Sequence, residues 1–249
     1  MLKFILNSLK IANDSIILIA PLSIFTMILY WYFNNVILNQ NDLEPFIMSI
    51  LTMFILVCGF LSLWIYMVKK VIGLSKKVFL FENDRTKELL NIILKSPKGV
   101  GKYFLSIIGI IFSYILLFLV SILMINNGHN LQISEFLSTK YGVIKLLLST
   151  IFILFTTILW LPEIVYSEKN YFKSLYFSII KNFIYFRHTI VLFLIITILL
   201  GITITSLIYL IESPLLYFCL LMIFYYLFVF SVVLIFTYYE QIFLKDTES

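Results

Sequence analysis

Charge is missing where this chain is most apolar. Six long stretches, residues 16–38, 46–68, 103–125, 145–161, 189–211 and 215–239, carry no Asp, Glu, Lys, Arg or His in their middles. A helix of roughly 20 apolar residues crosses the hydrocarbon core of a bilayer, about 30 Å thick, and each stretch approaches or exceeds that length. Only 12% of the 249 residues are charged, against 62% hydrophobic and 18% aromatic, which excludes an ordinary soluble domain. The chain therefore reads as an all-α, polytopic integral membrane protein with six transmembrane helices. Buried charge usually marks ion pathways and intramembrane catalysis, so its scarcity removes the residues on which such mechanisms are built.

Reactive side chains are just as sparse. There are two cysteines, Cys58 and Cys219, each inside a span, and they read as free thiols packed like small hydrophobes. The two histidines, His129 and His188, fall on opposite sides of the expected membrane and cannot share a metal. The chain has no phosphate loop, zinc-ligand spacing or nucleophile elbow, so no metal, no cofactor and no enzymatic activity are expected. Lys3 and Lys10 precede an apolar run holding Tyr30, Trp31 and Tyr32 with no small-residue cleavage site. The first stretch is accordingly read as a membrane helix and not as a cleaved signal peptide. Hydroxyls within the spans have no partnered base and fit helix–helix or backbone hydrogen bonds. Small residues four apart, Gly109/Ser113 and Thr197/Gly201/Thr205, suggest close helix contacts.

Basic residues, by contrast, are plentiful and sorted. Lys3 and Lys10 precede the first span. Nine more lie between spans two and three, at positions 69, 70, 76, 77, 85, 87, 95, 98 and 102, four between spans four and five, at 169, 173, 181 and 187, and one at Lys245. Only Lys140 and Lys145 of the 18 Lys and Arg lie on the other side. The positive-inside rule then places both termini in the cytoplasm of a multi-pass plasma-membrane protein. The formal net charge of +5 faces anionic lipid head groups, and no nucleic-acid-binding motif accompanies it. Enrichment in Ile, Phe, Tyr, Asn and Lys suggests a bacterial source of low GC content.

The six spans read as one membrane domain of three hairpins, 1–70, 84–166 and 170–240, with a basic cytoplasmic loop over 69–102. A short amphipathic segment precedes the first helix of each hairpin, anchored on Lys10, Lys95 and Lys181, a period of about 85 residues. In the third segment Lys173, Ser174, Ser178, Lys181 and Asn182 recur at helical spacing, opposite Phe172, Leu175, Tyr176, Ile179 and Phe183. In the second, Arg85, Glu88, Asn91 and Lys95 oppose Leu89, Leu90, Ile92 and Ile93. Such helices lie in the interface plane, as elbows that position the next span. Whether the three hairpins are true repeats stays open.

Two groups stand out as candidate contacts. Lys69, Lys70, Lys76 and Lys77 are pairs seven residues apart, so a helical extension of span two would put both on one face, with Val71, Ile72, Val78 and Phe79 on the other. They are candidates for anionic lipid or a cytoplasmic partner, and equally for charge that merely fixes topology. Pro162 and Glu163 follow Trp160 and Leu161 at the cytoplasmic end of span four, where a proline-broken backbone would expose carbonyls. Glu163 there would either bind a ligand or serve structurally, paired with a lysine such as Lys169 or solvated among head groups. Glu240 ends span six as a border charge. Pro21 and Pro162 are expected to kink their spans, while Pro45 and Pro214 begin theirs.

The stretch Trp160-Leu161-Pro162-Glu163-Ile164-Val165-Tyr166, followed by Asn170, Ser174-Leu175, Ser178 and Lys181-Asn182-Phe183, resembles the membrane domain fused to some glycerophosphodiester phosphodiesterases, and related stand-alone six-helix bacterial membrane proteins. That pattern has an alanine where Ser174 stands. The resemblance covers about 30 residues and implies architecture alone, since members of this group mostly lack an assigned activity, and the phosphodiesterase function is not expected to carry over. The expected function is a non-catalytic membrane scaffold or accessory subunit with a basic cytoplasmic face, working with a membrane-protein partner or as a homo-oligomer. The alternative is a transporter or permease component for a lipid or other apolar cargo.

Overall fold

The computed structural model describes residues 2–40, 42–77, 82–126, 140–167, 170–209 and 213–244, and these contain helices and turns but no strand. Six helical segments among them are long and apolar enough to cross a membrane: Ile16–Ile37, Leu43–Ser75, Gly101–Val120, Ile144–Ser167, Phe186–Tyr209 and Leu215–Leu244. All six fall on the apolar stretches of the sequence, and the protein is an all-α polytopic membrane protein.

The helices are α1 (Leu2–Asp14), α2 (Ile19–Tyr32), α3 (Leu43–Ser75), α4 (Glu82–Lys95), α5 (Val100–Asn126), α6 (Lys140–Thr157), α7 (Trp160–Ser167), α8 (Tyr171–Ile184), α9 (Phe186–Tyr209) and α10 (Pro214–Tyr239). Short helices α1, α4 and α8, of 13 or 14 residues, each precede a span after a local break. The breaks are Ser15 with a 3₁₀ turn, a 3₁₀ turn over Ser96–Gly99, and Tyr185 at φ −103°, ψ 30°. Prolines sit at the beginnings of helices. Pro21, Pro45 and Pro162 are the third residues of α2, α3 and α7, and Pro214 is the first of α10. In the first turn a missing N–H breaks no hydrogen bond within the helix itself. The expected kinks at Pro21 and Pro162 are thus resolved as helix starts, with the irregular backbone just upstream.

The chain forms two compact units, residues 1–105 with 194–249, and residues 106–193. In the first, α1 packs on α10: Thr237 donates to Val233 O at 2.8 Å and accepts from Ser8 at 2.9 Å, and Tyr226 donates to Asn13 Oδ1 at 2.5 Å. Trp64 of α3 donates its indole N–H to Leu18 O at 3.1 Å, beside the break before α2. Phe25 stacks on Phe60, and Trp64 meets Phe228. Burial is concentrated toward the elbow end. In α3 the side chains of Trp64, Met67, Val68, Val71 and Ile72 are buried, whereas Leu43, Met48, Leu51 and Ile55 are exposed. Helix α3 has 33 residues, about 50 Å at 1.5 Å per residue, well beyond the hydrocarbon core.

In the second unit the core again lies near the elbow. Phe155, Leu159, Trp160, Ile164 and Val165 are buried, while Ile144, Leu147, Leu148 and Phe152 earlier in α6 are exposed. Tyr114 of α5 donates to Thr157 Oγ1 at 2.6 Å, that hydroxyl donating in turn to Ile153 O. Gly109 permits a close approach: a β-carbon there would stand 3.2 Å from the Tyr171 ring. Gly201 differs, having nothing within 4 Å of such a β-carbon, and Thr205 simply donates to its carbonyl at 2.6 Å. Of the two small-residue stripes, only the one at Gly109 meets another helix at its glycine.

Candidate functional site

The feature that organises the second unit is the break between α6 and α7. Pro162 supplies no N–H to Ile158 O, and the chain turns at residues 158 and 159 before helix resumes, with Glu163 N–H bonded to Leu159 O at 3.0 Å. Carbonyls are left over at the end of α6. Asn182 of α8 takes two of them: its Nδ2 donates to Phe155 O at 3.2 Å and to Thr156 O at 2.7 Å. Trp160 Nε1 donates to Tyr171 O at 3.1 Å, holding α7 to the first turn of α8.

Glu163 is completely enclosed, 0% exposed, and its Oε2 accepts from Lys181 Nζ at 2.5 Å. Lys181 is 23% exposed, so the pair reaches the surface from the lysine side. Lys169, the partner expected from sequence, lies outside the described residues. Ser174, Ser178 and Asn182 are also fully buried, and with Lys181 they form one stripe of α8 at intervals of three and four. Ser178 Oγ and Asn182 Oδ1 have no hydrogen-bond partner among the described residues. The cluster has the chemistry to hold a small polar molecule such as water beside an internally neutralised ion pair.

The polarity of α8 is consequently turned around. Its polar stripe faces protein, while Phe172, Tyr176, Phe183 and Ile184 are exposed, Tyr176 to 64%. The sequence pattern separated the two faces except at Lys173, which is exposed, and did not show which face would be covered. Lys181 and Asn182 were legible only as members of a polar face. The available signal for their role was Pro162, since a broken helix end requires donors.

The lysines proposed from sequence are distributed along and just past the end of α3. Lys69 and Lys70 are in the helix, and Lys76 follows its last residue in helical conformation. Val71 and Ile72 are buried, and Val78 and Phe79 lie outside the described residues. Lys76 pairs with Glu240, tying the end of α3 to the end of α10. Lys70 lies 5.7 Å over the ring of Tyr66, and Lys77 is exposed. Of the four lysines, Lys76 has an acid beside its ammonium.

Beside an open pocket of about 620 Å³ along the Thr197, Gly201 and Thr205 face of α9, two smaller cavities lie among the described residues. One of about 310 Å³ is lined by Tyr114, Ile115, Phe118 and Leu119 of α5 and Thr150, Ile153 and Leu154 of α6, and it is almost wholly apolar. The other, about 160 Å³, is lined by Tyr66 and Lys70 of α3 and Glu88, Asn91, Ile92 and Lys95 of α4. Among the described residues no group of three His, Cys, Asp or Glu is placed to hold a metal ion. Cys58 is buried, Cys219 is exposed, and both are free thiols. No known protein-family model, curated protein or solved structure matches the chain.

Proposed function

We propose that the chain is a non-catalytic scaffold or accessory subunit of the cell membrane, with both termini and a basic face in the cytoplasm. The observation that carries this reading is the Glu163–Lys181 pair. Glu163 is the one charged residue enclosed in the helical body among the described residues, and it is held by a lysine of the next helix. Its neighbour Asn182 is engaged with backbone carbonyls. Groups that a reaction would need available are instead fastening α7 to α8. The residues shared with the glycerophosphodiesterase-associated membrane domain are those of this junction, which supports taking that resemblance as one of architecture. The sorting of lysines supports cytoplasmic termini in a plasma membrane, and the enrichment in Ile, Phe, Tyr, Asn and Lys a bacterial one, with α1, α4 and α8 as interfacial elbows and Lys69, Lys70, Lys76 and Lys77 toward anionic lipid.

The apolar cavity between α5 and α6 favours a second reading, a transporter component for an apolar cargo. Cross-linking in native membranes followed by affinity purification separates the two. A scaffold yields a stoichiometric protein partner or a defined homo-oligomer. A monomer that carries along one apolar small molecule and no protein sinks the scaffold and supports transport.

A further inference from the structure

The notch between α3 and α4 has the make-up of a small anion site. Tyr66 and Lys70 are four residues apart on α3, and Glu88, Asn91, Ile92 and Lys95 recur every three or four residues on α4, so two helix faces line one cavity of about 160 Å³. At roughly 30 Å³ per water this is room for about five waters, similar to a tetrahedral phosphate and one attached hydroxyl. Lys70, Lys95 and Glu88 line it together, yet none has an ion pair among the described residues, and Lys70 instead lies over the Tyr66 ring. The Asn91 amide likewise has no hydrogen bond among the described residues. On the other side of α4, Leu90 and Leu94 are exposed, Leu94 to 78%, which suits that helix to hydrocarbon.

We infer that this notch binds the phosphodiester head group of an anionic lipid. Lys70, Lys95 and Asn91 donate to the phosphate oxygens, and Glu88 accepts from a head-group hydroxyl. Two cations at close range outweigh one carboxylate for the phosphate, while the carboxylate selects head groups that carry a donor. Free phosphate offers the same oxyanion, but the exposed leucines on the opposite side of α4 suit that helix to the hydrocarbon border, where the phosphates carry acyl chains. The inference rests on the membrane-border placement of α4 proposed above.

The test is native mass spectrometry of the intact, detergent-solubilised protein titrated separately with dioctanoyl-phosphatidylglycerol, dioctanoyl-phosphatidylcholine and inorganic phosphate. The protein should prefer phosphatidylglycerol to phosphatidylcholine at least tenfold. Lys70→Gln with Lys95→Gln should abolish the preference, whereas Lys145→Gln, an exposed lysine outside the notch, should change it less than twofold. Glu88→Gln should keep binding to phosphatidylglycerol but weaken it severalfold. An unchanged preference in the double variant overturns the site, and so does equal binding of the two lipids. Inorganic phosphate binding as tightly as phosphatidylglycerol overturns the lipid assignment. Because affinity is read in detergent, a topology map placing α4 on the outer face would refute the border reading without altering these numbers.

Discussion

At Glu163 a full carboxylate sits out of water, and what makes this tolerable is the Lys181 ammonium at 2.5 Å. Removing one member of such a pair leaves a buried charge and costs about 3–5 kcal/mol, whereas replacing both by neutral groups is often close to neutral. Lys181→Met should therefore lower the melting temperature in detergent markedly, and Glu163→Gln combined with Lys181→Met should restore most of it. Cys58 provides the readout, being fully buried in the native state; with Cys219 changed to Ser, a thiol-reactive dye reports unfolding. A single variant as stable as wild type would show that the pair contributes nothing. Lys76–Glu240 is different, since Lys76 is 57% exposed and solvent screens the pair, so it contributes little. At this scale the acid was legible as a border residue with two fates, and the partner was not, because Lys181 approaches only through the fold of α7 on α8.

Among the elements, α8 shows best how a sequence pattern and its environment separate. Its period of polar residues was evident, and in water that stripe would face outward. Here the adjoining helix end lacks donors, so the stripe turns inward, and aromatic and aliphatic side chains are left exposed. Asn182→Leu keeps the volume but removes both donors to Phe155 O and Thr156 O. Phe155 O keeps the Ile158 N–H at 3.4 Å, so Thr156 O is the carbonyl left short, and one buried unsatisfied carbonyl costs about 1–3 kcal/mol. The variant should lose stability in that range, and hydrogen exchange should accelerate first at residues 155–160 while α10 stays protected. Uniform acceleration over all helices would count against a local capping role. The prolines carry the same lesson. Residue type alone predicted irregularity, but whether a proline bends a helix or starts one depends on where the upstream carbonyls find donors, as they do at Trp64 and Asn182.

For the molecule as a whole, the sorted lysines make a definite orientation testable. In a background with Cys58→Ser and Cys219→Ser, Lys77→Cys should resist a membrane-impermeant maleimide in intact cells and react after lysis. Asn39→Cys, in the turn before α3, should react in intact cells. The opposite labelling pattern would invert the topology and move the lysine-rich face outside. The spans and the all-α class were determined by the sequence itself, because an apolar run of bilayer length has no other stable solution than a helix when backbone groups must be satisfied internally. Tertiary structure decided what such runs do not encode. It brought Glu163 to Lys181, Lys76 to Glu240, and the α3 and α4 faces to a common notch. Each depends on residues 18 to 164 positions apart. Helical periodicity fixes which side chains share a face, and only packing fixes what that face meets.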